Sequence, residues 1–163
     1  LAQYVAHDDD LVGRQVLELG CGLGLVGVVA AMHGAHVLCT DYEADALAFA
    51  RYNARRNACS EMHFRLVDWR QPALQRQYDV ILASDVIYEA RNFDPLEALL
   101  QRYLARGGRA LFAEPGRTNA VPFFALLRQR GFVYHTETVS VEWDGSHQIH
   151  ISTIQHAVNH SIE

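Results

Sequence analysis

Apolar runs of strand length alternate with segments of helical period from Gln15 to Arg130, and few folds are open to a chain that alternates in this way. Strands are expected at Gln15 to Leu19, His36 to Thr40, Met62 to Val67, Tyr78 to Ala83 and Arg109 to Ala113. Helices are expected between them at Leu25 to His33, Ala44 to Asn57, Pro72 to Gln77 (a short one) and Phe93 to Ala105, with a further helix at Ala120 to Arg130. The last third changes character. Phe132 to Val141 and Gln148 to Ala157 are extended runs joined through Asp144-Gly145, a strong hairpin-turn pair. Strand–helix alternation implies a parallel sheet covered on both faces, and the hairpin adds one antiparallel strand. The expected architecture is a doubly wound α/β sheet of seven strands, mostly parallel with an antiparallel last strand.

At 163 residues the chain fits one domain covering 1–163, too short for a separate substrate lobe. With 50% apolar and 20% charged residues, it lies far from disordered compositions. The net charge is −5 and the 14 basic residues form no long run, which argues against nucleic acid as a partner. The longest apolar stretch, Leu23 to Met32, is broken by glycine and falls well short of the ~20 residues of a membrane span, so no membrane partner is expected. Cys21, Cys39 and Cys59 lack disulfide-framework or zinc spacing, which fits a reducing, cytoplasmic setting. The nine histidines form no zinc-helix pair, and no metal is expected. The chain begins at Leu1 without Met, so a preceding N-terminal segment is expected.

Ligands of open α/β sheets bind at the carboxyl ends of the strands, which makes the residues just after each strand the candidates. Gly20, Gly22 and Gly24 follow the first strand and precede a helix, where the absence of side chains lets backbone approach a ligand. Gly22-Leu-Gly24-Leu-Val-Gly27 is also literally a dinucleotide G-x-G-x-x-G. That register would leave Glu18 inside a buried strand, whereas a strand ending near Leu19 lets Glu18 face the cofactor pocket. Asp41 closes the second strand 21 residues after Gly20, placed to accept from ribose hydroxyls, and it could equally cap the next helix. Asp68-Trp69 ends the third strand, an acid for the adenine amino group beside an indole to pack on the ring, though Trp69 could be core filling. Ser84-Asp85 ends the fourth.

Val16-Leu-Glu-Leu-Gly-Cys-Gly-Leu-Gly-Leu-Val-Gly27, Asp41, Asp68-Trp69 and Ser84-Asp-Val-Ile-Tyr88 together resemble the class I, seven-strand, Rossmann-like S-adenosylmethionine-dependent methyltransferases. More narrowly they are similar to the protein N-lysine methyltransferases with a D-x-x-Y motif after the fourth strand. The resemblance covers the chain from Gln15 onward. It implies S-adenosyl-L-methionine as cofactor, bound through Glu18, Gly20, Gly22 and Gly24 at its methionine part, Asp41 at ribose, and Asp68 and Trp69 at adenine, with Cys21, Tyr42 and Ser84 as further cofactor-binding residues. It also implies a protein substrate presenting a lysine, with Asp85 and Tyr88 at the opening for the amine. Glu114-Pro-Gly-Arg117 resembles an acid-Pro-Gly-Arg segment of members acting on the electron-transfer flavoprotein β subunit and their bacterial relatives, which puts Glu114 at the pocket rim. One departure is the upstream side, where such members carry a Trp-containing segment and a helix and this chain has Leu1 to Asp10 alone.

The expected chemistry is in-line displacement on a sulfonium, in which the protein orients a neutral amine. Asp85 and Tyr88 are the expected orienting groups, against the plainer reading that Asp85 caps a turn and Tyr88 packs under the next helix. A small-molecule methyltransferase and a catalytically silent cofactor-binding module are the rival functions. Nucleic-acid amine methyltransferases usually show Pro-Pro after the acid, and Ser84-Asp-Val-Ile-Tyr88 has none. Trp143 in the hairpin is expected to serve either acceptor recognition or hairpin packing.

Overall fold

The computed structural model describes residues 1–142 and 144–158. One sheet of seven strands runs in the order β3-β2-β1-β4-β5-β7-β6. Its strands are β1 (Gln15–Leu19), β2 (His36–Asp41), β3 (His63–Leu66), β4 (Tyr78–Ser84), β5 (Leu104–Glu114), β6 (Phe132–Glu142) and β7 (Ser146–His156). The first five pair in parallel, and β7 lies antiparallel between β5 and β6. The expected antiparallel strand is therefore inserted inside the edge of the sheet, because the hairpin folds back to bury Ile151 and Ile154 against β5. The turn carries Asp144 and Gly145 at φ 47° and 115°, the left-handed geometry that the pair favours. Trp143 lies outside the described residues.

Period-2 alternation divides the core into two layers. Leu17 and Leu19 of β1, Ile81 and Ala83 of β4 and Phe112 of β5 face α4 (Phe93–Tyr103) and α5 (Ala120–Gln129). Val16, Val80, Leu82 and Leu111 face α2 (Leu25–Met32) and α3 (Ala44–Arg56). Phe123 anchors the first layer, with ring centroids 5.4, 5.8 and 5.5 Å from those of Phe93, Phe112 and Phe124.

Two expectations are corrected, and one stretch without an expectation gains structure. Pro72 to Gln77 is not a helix, because its carbonyls are bonded elsewhere: the Tyr103 hydroxyl donates to Pro72 O (2.6 Å) and Arg65 Nη1 to Ala73 O (2.9 Å), while Leu74 is buried. The helix expected to reach Ala105 ends at Tyr103, since Leu104 pairs with Tyr78 and opens β5 five residues earlier than Arg109. A shift in register follows, and Gly107 takes φ 79° to carry it. The stretch before β1, given no structure from sequence, holds a short α1 (Ala2–Val5) and a 3-10 turn (Asp9–Leu11), whose Val5 and Leu11 are fully buried in the second layer. Arg109 Nη2 meets Asp8 at 2.6 Å and ties this stretch to β5. Among the described residues no helix is long and apolar enough to cross a membrane.

Phe123→Ala is expected to cost about 3–5 kcal/mol of unfolding free energy in a denaturant titration, the range for emptying an aromatic site in a packed core.

Candidate active site

Parallel pairing brings the carboxyl ends of β1 to β5 to one edge, and the strand order reverses between β1 and β4, where such sheets open a crevice. Most of the residues singled out from sequence meet there. The Gly20–Gly24 loop leaves β1 and turns into α2 through positive φ at Gly20, Gly22 and Gly24 (60°, 52°, 75°). At Gly24 a side chain is excluded twice over, since a Cβ would lie 2.8 Å from the Ala50 Cβ of α3. Asn53 Nδ2 holds the loop from outside by donating to Leu23 O (2.9 Å).

Asp41 is buried at the end of β2, and the N-cap of α3 is Glu43, so Asp41 is not the helix cap. Its Oδ2 accepts the Gly22 N–H (2.9 Å) and so fixes the loop, while its Oδ1 accepts the Glu43 N–H (3.0 Å) at the entry to α3. Tyr42 beside it is 67% exposed at the mouth of the cleft that it lines with Asp68 and Trp69. Trp69 does two things also: its ring packs on the first core layer and lies 3.3 Å from where a Cβ of Gly20 would sit, so Gly20 is the residue that admits the indole to the floor of the crevice. Asp68 stays exposed and holds its own turn through the Arg70 N–H (2.9 Å). Tyr42, Asp68, Trp69, Tyr88 and Asn92 line a cleft of about 220 Å³. A larger groove of about 650 Å³ between α1 and the β6–β7 hairpin carries none of the strand-end glycines and acids assigned to the site, so volume is a poor guide here.

Glu18 is placed differently from expectation. It shares a sheet face with Val16, which points it under α2 instead of into the crevice, and it is 3% exposed. Its Oε2 accepts the Gly27 N–H (3.1 Å) and the Cys39 thiol (3.0 Å), so a carboxylate inside the strand is tolerated because it is bonded. Burial pushes the Glu18 carboxyl up to about 7, with the bonds from Cys39 and Gly27 opposing. A hydrogen bond with Cys21, then burial and Glu18, hold the Cys39 thiol well above its ordinary value. Glu18, Cys21 and Cys39 bring their ligand-type atoms within 4.8 Å of one another, but Oε2 of Glu18 is already committed to Gly27 and Cys39.

The ends of β4 and β5 form the other half of the edge. Ser84 is exposed, and Asp85, at φ 55°, donates its N–H to Ala113 O (2.7 Å). Its carboxylate does not cap the turn. Arg117 forks onto it, Nε to Oδ1 at 2.5 Å and Nη2 to Oδ2 at 2.6 Å, and gives its own backbone N–H to Glu114 Oε2 (2.6 Å). Glu114 is buried, whereas Tyr88 is 45% exposed and is not packed under α4; Asn119 Nδ2 holds its carbonyl (2.9 Å). Arg117, Asn119 and His150, whose Nε2 lies 3.6 Å from the position of a Gly116 Cβ, were given no role from sequence. The signal for Arg117 was its place three residues after Glu114 in a Pro-Gly turn.

Residues 1–130 match the family model described as lysine methyltransferase. The chain belongs to the lysine methyltransferase family. It is 33% identical over 159 residues to the protein N-lysine methyltransferase METTL21A of Danio rerio, covering 87% of this chain and 66% of that protein. With the METTL21A of Mus musculus the identity is 32% over 154 residues, 90% of this chain and 68% of the other. The chain thus spans about two thirds of the length of these relatives. Among solved structures, a magnesium protoporphyrin IX methyltransferase from Synechocystis PCC 6803 with bound SAM superposes with a TM-score of 0.73 at 18% identity over 94% of this chain and 76% of that one, which shows the shared fold.

Because the folded-state value of Glu18 lies above the ordinary 4.5, its contribution to stability is full below about pH 4.5 and lost as pH rises through about 7, a loss on the order of 3 kcal/mol. Glu18→Gln in this lysine methyltransferase family member is expected to remove that loss, so that the melting temperature falls less between about pH 5 and pH 8 than in the wild type. Parallel curves for the two proteins would contradict the assignment.

Proposed function

We propose that this chain is an S-adenosylmethionine-dependent methyltransferase acting on a lysine side chain of another protein. The observation that carries the reading is the pairing of a glycine loop, pinned by Asp41, with the Asp85–Tyr88 turn across the β1/β4 reversal. Family membership and the METTL21A relatives support the lysine acceptor. One sheet with two continuous core layers supports a single domain. Free thiols at Cys21, Cys39 and Cys59 suit a cytoplasmic setting, and the net charge of −5 supports a protein acceptor over nucleic acid.

The residues present fit the cofactor. Gly20 and Gly22 offer bare backbone, Asp41 retains lone pairs beyond its two backbone bonds for ribose hydroxyls, and Tyr42 and Trp69 flank a cleft with Asp68 at its edge for adenine. S-adenosylmethionine supplies a methyl group on a sulfonium, an excellent leaving group. The chain's own residues position: Glu18 and Asp41 hold the loop, and Asp85, Tyr88 and Glu114 receive and orient the amine, so that most of the rate comes from placement.

All 14 basic residues of the chain are arginine, so it carries no lysine of its own to methylate. Incubation with tritiated S-adenosylmethionine and soluble cell protein, followed by complete hydrolysis, is expected to yield labelled methyl-lysine that belongs to acceptors alone. Asp85→Ala is expected to lower that yield about 100-fold or more while calorimetry shows unchanged cofactor affinity. Label in small molecules only would favour a different acceptor class. Binding without release of S-adenosylhomocysteine would mark a silent module.

A further inference from the structure

The exposed Asp85 and the buried Glu114 place two carboxylates at neighbouring strand ends, beside the rim assigned above to the incoming amine. Such a pair attracts an ammonium, and an ammonium cannot attack, because its nitrogen has no free lone pair. A site built of acids alone would bind its substrate in the unreactive state. The fork from Arg117 changes that balance. Guanidinium is always charged, here it meets both oxygens of Asp85, and its backbone N–H is held by Glu114, so the cation is fixed in place by both acids. Each Asp85 oxygen keeps a second lone pair, which leaves an acceptor for an amine N–H.

We propose that Arg117 is a positioning residue for the acceptor lysine, a fixed cation forked onto Asp85 that makes the bound amine give up its proton before methyl transfer. The inference rests on Asp85 being the amine's anchor. The other titratable groups around the fork are Tyr88 on the turn after β4, Glu114 on β5 and His150 on β7, whose Nδ1 is bonded to Thr138 of β6 (2.9 Å). Arg91, beyond Tyr88, is paired with Glu89. That leaves Arg117 as the cation bonded to Asp85 above neutral pH among the described residues. In the reaction the ammonium's proton leaves to solvent, and the nitrogen lone pair forms the N–C bond as the methyl's bond to sulfur breaks with its electrons staying on sulfur. The product alkylammonium then releases its proton to solvent.

The test follows initial rates of methyl-lysine formation at saturating S-adenosylmethionine, with one fixed preparation of soluble cell protein as acceptor, from about pH 7 to about pH 11, the window approaching and spanning lysine titration. A cation within a few ångströms moves an amine by about one unit or more. Arg117→Met and Arg117→Gln are therefore expected to run at about a tenth of the wild-type rate near the low end and to approach it near the high end. Arg117→Lys restores most of the low-pH rate, and since it carries the chain's sole lysine, intact mass separates self-methylation from transfer to acceptors. The turn is exposed, so the variants are expected to fold, and calorimetry with S-adenosylmethionine checks that they do. A rate ratio that is flat with pH, at any level, overturns the proposal, because a structural defect does not track a proton. Absence of methyl-lysine with the wild type sinks the lysine reading and the proposal together, whereas an active wild type with a flat ratio sinks the role of Arg117 alone.

Discussion

The bond from the Gly27 N–H to the buried Glu18 carboxylate is the contact on which the site depends. A Cβ at Gly27 would lie 2.6 Å from the Cys39 sulfur and closer still to the Glu18 carboxylate, so a side chain there would have to displace the groups bonded at this contact. With glycine in place the helix lies close over β1, and the Gly20–Gly24 loop has a fixed start and a fixed end. Asp41 then pins the middle of the loop at Gly22 from the next strand. A loop of bare backbone is thereby held by two acids on neighbouring strands, and its shape is set before a ligand arrives.

The same device recurs across the edge with different partners. Glu18 and Asp41 spend their oxygens on backbone N–H groups and a thiol, Asp68 on its own turn, and Asp85 and Glu114 on Arg117. Acids that hold backbone are fixed and largely committed, and they shape the crevice. Asp85 is held by a side chain on an exposed turn, so it is the strand-end acid whose partner can shift without disturbing the sheet.

The glycine spacing, the acid after each strand and the alternation of periods are local properties, and they were legible along the chain. Six of the seven strands lie within two residues of their expected starts, and only β5 begins well before its apolar run. What escaped were features created by distant partners. Pro72 to Gln77 reads as a helix until Tyr103 and Arg65 take its carbonyls. Leu104 reads as a helix end until Tyr78 pairs with it. Val5 and Leu11 carry no periodic signal of their own, and it is the second core layer that buries them.

The sequence by itself determined the class of fold, the edge at which a site forms and the residue types available there, because periodicity and turn chemistry act over a few residues. Tertiary structure decided which way each side chain faces and what it meets. Glu18 and Asp85 are both acids at the end of a strand, yet one is sealed under a helix and the other is forked to an arginine 32 residues away. Whether a carboxylate ends as scaffold or as an open anchor is settled by its neighbours in space, and spacing along the chain does not encode them.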